Sequence, residues 1–175
     1  MSVVIDGSAG VTTASGAVYN GIQSATAVAT TSGTNIDFTS VPSWVKRITV
    51  MYQGISTTGS SVIIVQLGTS GGVQTSSYVG SSWESNTVNT TYSAGFAIGT
   101  SNTASSVWSG IGTICLQNSS TNNWIWSNVA GDSAGGNTSQ GGGYKTLSAS
   151  LTTVRLTITN GTDTFDAGSV NILYE

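Results

Sequence analysis

In three separate stretches of the chain apolar and polar residues alternate with a period of two, and this limits the fold more than any other feature. From Lys46 to Gln53, Ile48, Val50 and Tyr52 share one face while Thr49, Met51 and Gln53 share the other. From Val154 to Thr159, Val154, Leu156 and Ile158 point one way and Arg155, Thr157 and Thr159 the other. From Ser169 to Glu175, Val170, Ile172 and Tyr174 alternate with Asn171 and Leu173. A period of two belongs to half-buried strands, since successive side chains of a strand leave opposite faces. Further strands are expected at Ala25–Thr31, Asn35–Phe38, Ser93–Ile98, Val107–Gln117, Trp124–Val129 and Tyr144–Ser150. Val62–Leu67 reads VIIVQL without alternation, as in a strand covered on both faces by the opposite sheet or by a neighbouring subunit. The segment GISTTGSS between it and the first alternating stretch suits a hairpin.

Composition agrees. Ser and Thr make up about a third of the chain, with 23 Gly and a single proline, Pro42, just before the best strand. Helix-forming residues are too sparse for helical architecture. The 175 residues suit one domain, and 38% apolar residues with five Trp and six Tyr are enough for a core. The expected fold is an all-β, antiparallel β-sandwich, jelly-roll-like. Residues 1–21 are expected to form an N-terminal arm or connector and residues 22–175 the sandwich. Gly80–Tyr92 and the Gly-rich Gly131–Gly143 read as long loops, where function tends to sit.

Charge narrows the function. Only 6% of residues are charged, against about 25% in an average soluble domain, and the net charge is -3. Lys46, Arg47, Lys145 and Arg155 form no basic stripe, so nucleic acid is not an expected partner. The N-terminus has no signal-peptide pattern, and no apolar run reaches membrane-spanning length. Weak self-repulsion and strand edges favour homo-oligomerisation.

Catalytic chemistry is scarce. The chain has no His, which removes the usual general base and commonest metal ligand. Asp163 and Asp166 are the only acids closely spaced in sequence, and in NGTDTFDAGS they read as turn formers more readily than as a glycosidase or calcium pair. Cys115, the only cysteine, sits between Ile114 and Leu116 and reads as a buried small hydrophobe. Sequons at Asn89, Asn118, Asn137 and Asn160 are what chance gives in so Asn-, Ser- and Thr-rich a chain. No catalytic residue, metal or cofactor is expected.

Stacking and neutral hydrogen bonds remain. Trp44 reads as core or seam. Trp124 and Trp126 share one strand face just after Asn122 and Asn123, and this set is either core, subunit interface or a stacking platform for a sugar. Trp83, inside a polar stretch, has the best claim to exposure, and Trp108 and Tyr144 complete the candidate contact residues of the central region.

Three stretches, TSGTNIDFTSVPSWVKRITVMYQGIST, VQLGTSGGVQTSSYVG and LSASLTTVRLTITNGTDTFDAGSVNILYE, resemble as a set a module of tail-fibre and other virion surface proteins of tailed phages, often found at the C-terminus. The resemblance covers Ile22–Glu175 and implies a non-enzymatic, β-rich, trimeric component on the outside of a phage particle, made in the host cytoplasm. Its partners would be copies of itself, other virion proteins and a host surface glycan. It carries over no site residue. A tail fibre normally has an attachment domain and shaft ahead of its tip, whereas this chain starts about 20 residues before the familiar stretch. The expectation is a separately made tip or, alternatively, a capsid decoration protein; a tailspike-type glycan hydrolase is the remote third reading.

Overall fold

The structure, a computed structural model, describes residues 4–6, 10–12, 18–19, 21–85 and 89–175, and the remainder of the expected N-terminal arm lies outside them. Within the arm segment, β1 (Val4–Asp6), β2 (Gly10–Thr12) and β3 (Val18–Tyr19) pair into a small antiparallel sheet. The rest of the chain supplies β4 (Gln23–Ser24), β5 (Val28–Ala29), β6 (Asn35–Phe38), β7 (Arg47–Thr57), β8 (Ile63–Thr69), β9 (Gly72–Val73) and β10 (Val79–Glu84). There follow β11 (Thr90–Thr91), β12 (Phe96–Ala97), β13 (Trp108–Asn118), β14 (Asn123–Asp132), β15 (Asn137–Thr146), β16 (Thr153–Ile158) and β17 (Phe165–Tyr174). Among the described residues there is no helix.

Two antiparallel sheets pack together as a β-sandwich. The nine-stranded sheet runs β11-β10-β15-β14-β13-β7-β17-β4, with β5 also on β17; the five-stranded sheet runs β12-β8-β16-β6, with β9 on β8. The three alternating stretches lie on β7, β16 and β17, and their apolar sets form much of the core. Ile48, Val50 and Tyr52 come from β7, Val154, Leu156 and Ile158 from β16, and Val170 and Ile172 from β17, all buried. Each such aliphatic side chain contributes roughly 1.5–3 kcal/mol by leaving water. At one edge Arg155 grips Asp37 of β6 with two hydrogen bonds, 2.7 and 2.8 Å long.

Every residue of β8 is buried within the single chain. Ile63, Val65 and Leu67 enter the core. On the other face the segment before β12 lies over the strand: Gln66 Nε2 donates to the Ala94 carbonyl at 2.8 Å, and Gly95 packs against Ile64. No neighbouring subunit is needed to cover it.

Several expectations are corrected. GISTTGSS does not make a hairpin, because β7 continues to Thr57 in the large sheet and the chain then crosses to β8 in the small one. Asn102 holds this crossover, its Nδ2 aimed at Thr57 Oγ1 (2.8 Å) and at the carbonyls of Gly59 and Ser61 (3.2 Å each). The two expected loops carry strands: of 80–92, residues 80–84 belong to β10 and 90–91 form β11, with 86–88 outside the described residues, and 131–143 is the end of β14, a four-residue turn and most of β15. Asp163 does lie in a turn, where its Oδ2 accepts the Ser61 N–H at 3.1 Å, whereas Asp166 lies within β17. Cys115 is half-buried and not in the core, since alternation on β13 puts it on the face opposite Ile114.

β7 and β17 meet at an irregularity in register between Ala167 and Ser169. Gly168 has φ 91° there and faces Gly54, whose carbonyl oxygen would stand 2.4 Å from a Cβ at position 168. Only glycine fits both demands.

Candidate binding face

Alternation along β14 sorts the predicted aromatics. Trp124 and Trp126 point into the sandwich, at 3% and 2% exposure, and so does Trp108 of β13 at 2%. The Trp126 ring lies parallel to Phe96 at 5.4 Å, and Phe96 meets Tyr78 edge-on at 4.9 Å, so these rings join the two sheets. Trp108 Nε1 donates to Asn102 Oδ1 at 3.0 Å. These three indoles are core, and neither Trp124 nor Trp126 presents an exposed ring face as a platform for a sugar. Asn122 and Asn123 are turn and strand-start residues. The Asn122 carbonyl accepts the Leu147 N–H, and Asn123 bonds the side chains of Gln117 and Thr146. Trp44 packs at the core margin against Tyr174, their ring centres 5.9 Å apart.

The other two candidates, Trp83 and Tyr144, stand on the outer face of the nine-stranded sheet, 41% and 43% exposed. Register across the sheet places their neighbours. Val79, Tyr144, Ile125, Cys115 and Arg47 line up in one cross-strand row. Trp83, Gln140, Val129, Ile111, Met51 and Asn171 form another. Between them runs a row of small or polar residues, Ser81, Gly142, Ser127, Thr113 and Thr49. Val79, Ile111, Ile125 and Val129 are among the most exposed large apolar residues of the chain. The one charge in these rows, Arg47, sits at the end and pairs with Glu175. Sequence reading missed the four aliphatics; the available signal was NWIWSNVA, a strand apolar on both faces.

Where the sheet meets β11, the face carries two adjoining depressions. One, about 510 Å³, is bordered by Val79, Tyr92 and Tyr144 and floored by Gly80, Gly142 and Gly143. The second, about 250 Å³, is bordered by Trp83, Asn89 and Gln140 and shares Ser81 and Gly142 with the first. Tyr92 is fixed by its hydroxyl, which donates to the Thr100 carbonyl at 2.9 Å, and burial raises its pKa, with the nearby Glu84 adding to the effect.

The buried acids serve the backbone. Glu84, on the inner face of β10, accepts the N–H groups of Thr100 (2.5 Å) and Ser101 (2.9 Å) and the Ser101 hydroxyl. Asp132 accepts the N–H groups of Val107 (2.9 Å) and Ala134 (3.1 Å). Among the described residues no three His, Cys, Asp or Glu come together as a metal-holding group, and no helix is long and apolar enough to cross a membrane. Comparison of the chain with protein-family models, curated proteins and solved structures finds no match.

Proposed function

We propose that the protein is a non-enzymatic structural component of a bacteriophage particle, of tail-fibre-tip type, that works as a homotrimer on the particle exterior. The observation that carries this reading is the outer face of the nine-stranded sheet, where Ile111, Ile125 and Val129 stand exposed on adjacent strands with no charge among them. Exposed large apolar residues grouped on one uncharged face suit an interaction site, and a net charge of only -3 leaves little repulsion between copies. The resemblance of the three sequence stretches to virion surface modules supplies the biological setting. The use of Glu84 and Asp132 as acceptors for backbone N–H groups supports a structural and not a catalytic role.

Location on the particle tests the reading. An epitope tag on the chain, visualised by immunogold electron microscopy of purified particles, is expected at fibre ends. Label on the capsid would replace the fibre assignment with head decoration, and absence of the protein from particles would overturn the proposal.

A further inference from the structure

We infer that the strip of the outer face running from Tyr144 over the Gly142 backbone to Trp83 is a binding site for a neutral glycan. Three observations converge on it. First, the two aromatics stand exposed at opposite ends of the strip, in rows separated by four residues along the strands, or about 13 Å. Two rings at that separation suit the apolar faces of sugar units along one chain.

Second, at the centre of the floor between them one glycine, Gly142, is present for no reason internal to the fold. In the run 141–143, a Cβ on Gly141 would meet Asn128 Oδ1 at 2.4 Å, and one on Gly143 would meet the Val79 carbonyl oxygen at 2.4 Å. Gly142 is different: its φ is not positive, and the nearest atom to a Cβ there would be the Trp126 carbonyl oxygen at an ordinary 3.7 Å. Glycine inside a strand is destabilising, and where packing does not demand it, it marks close approach by a ligand or another backbone. Gly142 lies in the row of Ser81 and Ser127, so a side chain there would rise from the outer face between the two aromatics.

Third, the bordering polar groups are all neutral. Ser81, Asn89 and Gln140 offer hydroxyl and amide groups, and among the described residues no charged one lines either depression. That chemistry matches sugar hydroxyls and gives no counter-charge for phosphate, sulfate or carboxylate. The inference concerns the purified chain and does not depend on which part of a particle it forms.

Calorimetric titration of the full chain with short neutral oligosaccharides of glucose, mannose, galactose and N-acetylglucosamine, and with heparin as the anionic comparison, tests it. The expected result is saturable binding of at least one neutral oligosaccharide, insensitive to salt, and none of heparin. Trp83→Ala and Tyr144→Ala should each weaken binding roughly two- to tenfold, the scale of one lost stacking contact, and Gly142→Val should weaken it by obstructing the floor. Gly142→Val carries the most weight, because it fills the floor and is expected to leave sedimentation as in the parent and the melting temperature no lower. Failure of every neutral oligosaccharide to bind would overturn the inference, as would binding that survives all three substitutions. A change of oligomeric state in Gly142→Val would instead assign the strip to a second copy of the chain.

Discussion

The indole of Trp126 fills the volume that a side chain at position 112 would occupy: a Cβ on Gly112 would stand 2.0 Å from its Cη2 and 2.5 Å from its Cζ3. Gly112→Ala must therefore push the ring off Phe96 and should cost about 1–3 kcal/mol, the usual range for overpacking. Trp126→Ala should cost about 3–5 kcal/mol. Because both act on one volume, the double variant should lose less than the sum of the two. Urea unfolding midpoints of the three variants check this, and strict additivity would count against it.

Asn102 ties the β7–β8 crossover to Trp108, with its Nδ2 facing three acceptors and its Oδ1 accepting from the indole. Asn102→Ala would leave the buried Trp108 indole N–H without its acceptor, whereas the Thr57 hydroxyl would still donate to the Gly59 carbonyl at 3.2 Å. A loss of about 1–3 kcal/mol is expected from that one unsatisfied group. Thermal melting measures it, and the near-UV circular dichroism of Trp108 should change with it.

Stability should fall in acid, partly through Asp132. Burial pushes its pKa up, but hydrogen bonds from Val107, Gly135, Ser106 and Ala134 outweigh that and hold the carboxyl below the ordinary Asp range. A depressed folded pKa contributes stability that is present above the unfolded value of about 3.9 and is lost as pH falls through the folded one. The melting temperature should therefore drop as pH is lowered below about 4. Asp132→Asn should be less stable at neutral pH and show a shallower acid slope. An unchanged slope would remove Asp132 from this role.

Val129 and Ile111 face each other across β14 and β13, at 56% and 48% exposure. Charged substitutions at exposed positions usually change monomer stability by no more than about 0.5 kcal/mol. Val129→Lys and Ile111→Glu should thus leave the fold intact but dissociate the proposed trimer. Multi-angle light scattering reads the outcome directly; a parent protein that is monomeric at micromolar concentration would remove the trimer.

What was legible in the sequence was local. Alternation on β7, β16 and β17 marks strands and core together, because which face is buried is written every second residue. The glycine run before Tyr144 was illegible because its reasons lie on other strands: Gly141 makes room for Asn128, and Gly143 lies against β10. Read alone, such a run looks like a loop. The same limit hid Asn102, Glu84 and Asp132, whose hydrogen-bond partners are reached through the tertiary fold. Trp83 was legible as exposed because its sequence neighbours are polar. Trp124 and Trp126 were legible as a pair on one face, but not as to which face, since Ile125 makes β14 apolar on both sides.

The position of β17 between β7 and the early strands β4 and β5 has a consequence for biosynthesis. A ribosome delivers β7 more than a hundred residues before β17, the strand that must lie beside it. Until then the nascent chain carries an open β7 edge, and β4 and β5 have nothing to join. β7 can pair with β13 and the strands beyond it earlier, but closure of its other edge waits until translation has passed Tyr174. Nonlocal pairing of this kind is slow, so the edge that β17 covers is the last part of the large sheet to be made.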